Sequence, residues 1–277
     1  MGGLIKSDFK KLFKNRSLLV CSIIVFVVAA FSVFIMDMSY EMAADENGFG
    51  AMLEQYSSVI GSVDPSSLET INTILSMGTA MGLIDMMLSD SSIQMFIAIC
   101  ICLYIASEYS QGTLKNTVSR GFSRHKIYFS KAVVSGVASV ILATVYIAGT
   151  VIVSLLCSAV TDDFDIGRLI VEYIVYLVLV LATESLFFMI AILIRKTGIA
   201  IAICIASPMG VQMILGLLAN VIQNLSDYSR FWLSDTFTTI GSSYVNGIIW
   251  EPIVIGLVYI AVTYAVGTFI FAKRDIK

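Results

Sequence analysis

Long apolar runs separated by short polar stretches organise this chain. Residues 17–36, 132–157, 169–194, 197–222 and 252–272 are mostly apolar, and a shorter run covers 91–107. A hydrocarbon layer about 30 Å thick takes about 20 such residues per helix. A lone apolar segment in lipid has little alternative to a helix, because its peptide groups find no other partners. The short run is expected to borrow from the weakly apolar stretch 71–88, which places the second span at about 88–107. Asp85 marks that stretch as interfacial or partly embedded and argues against a seventh span. The pattern predicts an all-α membrane protein with six transmembrane helices. An interfacial segment 1–16 precedes a transmembrane domain 17–277, with an outer loop at 39–90 and an inner loop at 108–131.

Charge orients this array. Lys6, Lys10, Lys11, Lys14 and Arg16 precede the first span, and Lys115, Arg120, Arg124, Lys126 and Lys131 lie between the second and third. Arg195 and Lys196 part the fourth and fifth, and Lys273, Arg274 and Lys277 close the chain. With six spans, 15 of the 17 basic residues share one side, and only Arg168 and Arg230 lie opposite. The positive-inside rule then puts both termini in the cytoplasm. The outer loops are acidic, with Asp37, Glu41, Asp45, Glu46, Glu54, Asp64 and Glu69, then Asp162, Asp163 and Asp165.

Composition agrees. Of 277 residues 58% are apolar and 13% charged, the formal net charge is −3, and the mean hydropathy is +0.90. A soluble fold of this size could not bury that much apolar surface. The first apolar run is a full span with no small-residue cleavage site, so it reads as an anchor rather than a signal peptide. Cys21, Cys100, Cys102, Cys157 and Cys204 all lie in apolar runs, where they serve as small hydrophobes rather than as an outer disulfide framework.

The sequence carries no evident catalytic centre. The single histidine, His125, sits in the basic inner loop, so neither a buried zinc site nor a Ser–His pair within the membrane is expected. No phosphate loop and no dinucleotide fingerprint occur, and nothing points to nucleic acid or to a metal. Energy must come from another polypeptide or from an ion gradient.

Five segments carry information. In residues 4–16, Leu4, Ile5, Phe9, Leu12 and Phe13 recur at helical spacing while lysines take the other positions, the pattern of an amphipathic helix lying in the interface. In the inner loop, Gly112 breaks the preceding span, Thr113 can cap a short helix through Ser119, and Gly121 can end it in a left-handed turn. Ser123 can then cap the next helix. This short helix suits docking of a soluble partner, although an ordinary basic loop has the same charge pattern. Glu184 stands midway along a span, where an ionised carboxylate costs on the order of 2.5–3.5 kcal/mol and so needs a proton or polar company such as Thr183 or Ser185. Glu172, four residues after Arg168, is expected to form an exposed pair near the outer surface. Residues 197–222 combine a face of Ala202, Ala206 and Gly210 with Ser207, Pro208, Gln212 and Asn220. Such a helix can pack tightly, or kink at Pro208 and line a path. Between 223 and 251, Trp232, Tyr244 and Trp250 are expected at the outer interface.

The run Glu108-Tyr109-x-x-Gly112-Thr113-Leu114-Lys115-Asn116, then Ser119-Arg120-Gly121-x-Ser123-Arg124 and Ile127-Tyr128-x-x-Lys131, resembles the loop of type-2 ABC exporter permeases. The resemblance extends to an elbow helix before the first span, here marked by Phe9, Leu12 and Phe13, and to six spans and a short basic tail. It implies that Thr113–Ser119 is a coupling helix. Glu108, Gly112, Thr113, Leu114, Lys115, Asn116, Arg120 and Arg124 would then lie at the contact with a cytoplasmic ATP-binding subunit. It implies ATP and magnesium on that subunit, no cofactor on this chain, short helices before the last span, and a second permease copy or paralogue. The location implied is the plasma membrane of a bacterium, and the cargo an amphipathic drug, antimicrobial peptide or lipid. Glu184, Ser207, Pro208, Gln212 and Asn220 are the candidate polar groups of a translocation path. Two other readings stand beside this one. One is a non-transporting immunity or sensor protein that binds a membrane-active peptide through loop 39–90; the other is an ion-coupled transporter using Glu184.

Overall fold

The computed structural model describes residues 2–14, 16–44, 79–110, 112–157, 164–194, 196–219, 231–241 and 247–273. All regular elements among them are helices: α1 (Gly2–Lys14), α2 (Arg16–Ala44), α3 (Ala80–Ser89), α4 (Ile93–Ser110), α5 (Thr113–Ser119), α6 (Arg124–Cys157), α7 (Ile166–Ile194), α8 (Thr197–Ala219), α9 (Leu233–Thr238) and α10 (Trp250–Lys273). Six of them, α2, α4, α6, α7, α8 and α10, are long and apolar enough to cross a membrane.

Their lengths differ, and the differences position the site. At 1.5 Å per residue the 18 residues of α4 reach only about 27 Å, whereas the 34 residues of α6 reach about 51 Å. The surplus of α6 lies in its first two turns, which carry the functional side chains described below. The second span does not begin at residue 88. Leu88 belongs to α3, and Asp90 ends that helix, accepting the Ser92 N–H at 3.0 Å before α4 starts at Ile93. The reading of 88–107 as one span fails at that turn, because counting apolar residues does not register it. Seven residues of α3 are buried, so it is a packed plug of the bundle rather than a surface stretch.

The most extensively packed helix pairs are α2 with α6 and α7 with α10. Two glycines permit the α10 contacts. A Cβ on Gly267 would lie 2.1 Å from Tyr128 Oη, and one on Gly256 would lie 2.8 Å from Val178 Cγ1. Tyr128 is thereby fully buried at the basic end, packed edge-on against Phe188 and Tyr264 and tilted against Phe271. Cys102 and Cys204 pack together in the core with sulfurs 3.9 Å apart, and all five cysteines are free thiols.

The basic segments meet at one end of the bundle. Helix α1 packs on α6, α5 on α4 and α6, and Arg124 donates to the Ala272 carbonyl near the end of α10 at 3.1 Å. Tyr109 Oη donates to the Ile192 carbonyl at 2.8 Å, tying the ends of α4 and α7 there as well. The opposite end holds α3 and α9. Outside the described residues lie 45–78 of the expected outer loop, 158–163, Arg195, Asn220 with 221–230, Tyr244 and the tail from Arg274.

Candidate functional site

The site is built where four helices meet at the basic end. Gly112, at φ +62°, turns the chain out of α4 and precedes α5, and Gly121, at φ +81°, follows it. Both backbones occupy the left-handed region that glycine enters without steric cost. A short helix results between two breaks, with Asn116, Ser119 and Arg120 exposed.

Thr113 does not cap this helix. Its hydroxyl bonds to the Glu108 carboxylate and lies 3.1 Å from the Glu108 carbonyl. The cap position belongs to Gly112, which has no side chain to offer. Thr113 is instead the first residue of the helix, and its hydroxyl proton goes to the buried Glu108 carboxylate in a charge-assisted bond.

Glu108 is 3% exposed and ends in a network that unites distant parts of the chain. Lys131, 1% exposed in the second turn of α6, bridges Glu108 Oε2 at 2.7 Å and Asp8 Oδ1 at 2.8 Å. Asp8, on the inner face of α1 and 2% exposed, takes a second bond from the Ser130 hydroxyl at 2.8 Å. Lys11 adds looser contacts, 3.6 Å to Glu108 and 3.9 Å to Asp8. The Lys131 ammonium also stands 5.9 Å from the centre of the Tyr104 ring. Two carboxylates thus meet two ammonium groups, and each carboxylate oxygen has a partner. Taking such charges out of water costs several kcal/mol per ion, a penalty that only close pairing and satisfied hydrogen bonds offset.

The other predicted positions are placed as follows. Leu12 is buried and packs α1 against the bundle, Phe9 is half-buried, and Phe13 is 65% exposed with its ring stacked 6.5 Å from that of Phe9. Leu114 and Lys115 belong to α5, but their side chains lie outside the described part. Arg124 clamps α10 as noted. Glu184 is buried between α6 and α7, where the Ser135 hydroxyl donates to it at 2.5 Å. Thr183 bonds instead to the Leu179 carbonyl, and Ser185 to the Ala182 carbonyl and Thr263. The polar company of Glu184 therefore comes from across the helix pair rather than from its neighbours in sequence.

On α8 the polar groups turn to local tasks. Pro208 has no N–H to give the Cys204 carbonyl, and the Ser207 hydroxyl, 3.2 Å away, donates to it instead. The Pro208 carbonyl accepts from Trp232 Nε1 at 3.3 Å, and Gln212 donates to Asp235 at 2.7 Å. These contacts moor α8 to the α9 segment. Glu184 and this group are not brought together.

The expected exposed pair of Arg168 and Glu172 is a triad in which Glu172 is buried and Arg168 and Asp85 are partly so. Arg168 Nε bonds Glu172 at 2.8 Å, and the same guanidinium bonds Asp85 on α3. Glu172 is only 1% exposed. Its Oε2 and Asp85 Oδ1 are buried with no hydrogen-bond partner among the described residues. Burial pushes the Asp85 carboxyl above its ordinary range, and Arg168 offsets part of that rise.

Sequence reading missed Asp8 and the joining role of Lys131. The available signal was that Asp8 is the sole acidic residue before Asp37, set in a run of lysines.

Residues 3–276 match the family described as ABC-2 family transporter protein, and the chain belongs to that family. It is therefore a membrane permease subunit of an ABC transporter, a type of subunit that associates with an ABC ATP-binding subunit and normally has no ATPase motif of its own. No curated protein matches the chain.

Proposed function

We propose that this permease works in an ATP-driven exporter of amphipathic cargo, with its basic end in the cytoplasm. ATP and magnesium are bound and used on the separate subunit. Helix α5 is the element that subunit grips, and the bond between α5 and the rest of the permease carries the motion inward. One observation supports this above the others: Thr113, Glu108, Lys131 and Asp8 join α5 to α4, α6 and α1 through a buried charge network. A docking helix so anchored moves the inner ends of the second and third spans and the elbow when it is displaced.

A second copy or a paralogue completes the pathway. Helix α8 is the least buried of the six spans. Ala202 and Ala206 are exposed on it, and nothing lies within 4 Å of a Cβ built on Gly210. That face of small residues is free for close approach of another helix.

Copurification with its ATP-binding subunit tests the reading. Lys115→Glu with Ser119→Glu, one helical turn apart on α5, is expected to cut retention at least about tenfold. ATP-dependent transport by the purified chain alone contradicts the proposal. So does peptide resistance that persists when the partner ATPase is catalytically dead, the signature of an immunity protein.

A further inference from the structure

We propose that the cavity between α1 and α5 holds the phosphodiester headgroup of an anionic phospholipid. The cavity measures about 360 Å³ and is lined by Ser7, Asp8 and Lys11 of α1, Asn116 and Thr117 of α5, and Arg120. That volume corresponds to roughly a dozen waters, ample for a phosphodiester.

Charge selects an anion. Within the network, Asp8 and Glu108 are matched by Lys11 and Lys131. Arg120, exposed at the cavity wall, has no carboxylate partner among the described residues and leaves one positive charge uncompensated. A phosphodiester supplies one negative charge. Asp8 does not oppose it, because Lys131 and Ser130 already occupy both its oxygens. Lys11 is 40% exposed, and its contacts of 3.6 and 3.9 Å leave ammonium protons for a further acceptor. The guanidinium of Arg120 offers a planar fork suited to phosphate oxygens. Ser7 and Asn116 add neutral donors, whereas the Thr117 hydroxyl proton is given to the Thr113 carbonyl at 2.7 Å.

Position selects a lipid over a soluble anion. Helix α1 is amphipathic, with Phe13 largely exposed and Lys6, Lys10 and Lys14 turned outward. Such a helix lies at the headgroup level, its apolar side chains in the acyl boundary. Phe122, 37% exposed at the same cavity, offers apolar surface to the start of an acyl chain. A lipid held there bridges the elbow helix and α5 from outside, as Lys131 does from inside. This inference does not rest on the transport reading, and the full chain is assayed without its ATPase partner.

Native mass spectrometry of the chain extracted from vesicles of phosphatidylcholine with phosphatidylglycerol tests it. The wild type is expected to retain one phosphatidylglycerol. Arg120→Gln is expected to lower that occupancy about tenfold, the loss of one charge-assisted pair, and Arg120→Lys to restore part of it at an unchanged melting temperature. Lys14→Gln, outside the cavity, is expected to keep the lipid. Equal loss in Lys14→Gln and Arg120→Gln overturns the proposal in favour of diffuse surface charge. Equal retention of phosphatidylcholine, or displacement of the lipid by inorganic phosphate, overturns it as well.

Discussion

At the basic end of the bundle two carboxylates, Asp8 and Glu108, meet two ammonium groups, and hydroxyls of Ser130 and Thr113 complete their bonding. At the opposite end two carboxylates, Asp85 and Glu172, share one guanidinium, and one oxygen of each has no partner among the described residues. Both clusters fasten a short helix to the spans: α5 and α1 in the first case, α3 in the second. Balanced charge on nearly fully buried carboxylates makes a joint that resists being pulled apart, because every partial opening strands an ion. The under-compensated cluster can instead gain a proton, so its grip on α3 depends on pH. The permease thus has a stiff joint at its basic end and an adjustable one at the opposite end.

The largest effect is expected where the balance is strictest. Lys131→Met strands Asp8 and Glu108 and should destabilise the chain by about 3–5 kcal/mol, read as a fall in melting temperature in detergent. Adding Asp8→Asn and Glu108→Gln should recover much of that loss, since three neutral groups replace a broken set. Failure to recover would mean that charge balance is not what Lys131 supplies.

Arg168→Met at the other end also strands two carboxylates, yet protons can neutralise them. The cost should be about 1–3 kcal/mol at neutral pH and shrink toward acid pH, whereas the Lys131→Met loss should outlast mild acidification. Similar pH profiles for the two variants would erase the contrast between the clusters.

The smallest effect sharpens the sign. Asp85, on α3 outside the spans, has its carboxyl raised by burial. The folded chain therefore binds the proton more tightly than the unfolded one, and stability falls as pH rises through the raised value. Asp85→Asn mimics the protonated form. Its melting temperature relative to wild type should rise with pH from the ordinary carboxylate range upward, by a shift worth about 1 kcal/mol or less. A relative melting temperature that falls with pH would reverse the assignment.

Six spans were legible because twenty apolar residues in sequence admit little else, and the basic flanks were legible because lysine and arginine cluster beside them. The α3–α4 break was not, since Asp90 and two serines alter a hydropathy average very little. The pairing of Arg168 with Glu172 follows from a four-residue spacing, but its burial depends on Asp85, 83 positions away. Lys131 reads as one more basic flank residue until Asp8, 123 positions earlier, is folded against it. Thr113 was misread by one position: the left-handed turn makes Gly112 the cap residue and Thr113 the first residue of the helix. Long-range charge pairing leaves no periodicity for a single sequence to display.

The buried network holds α1 and α5 as one body. Spin labels at Lys6 and Ser119, placed in the permease reconstituted with its ATP-binding subunit, report the separation of the two helices directly. One narrow distance distribution is expected, unchanged between nucleotide-free and ATP-bound states and broadened in Lys131→Met. A wild-type distance that shifts when ATP binds would contradict it.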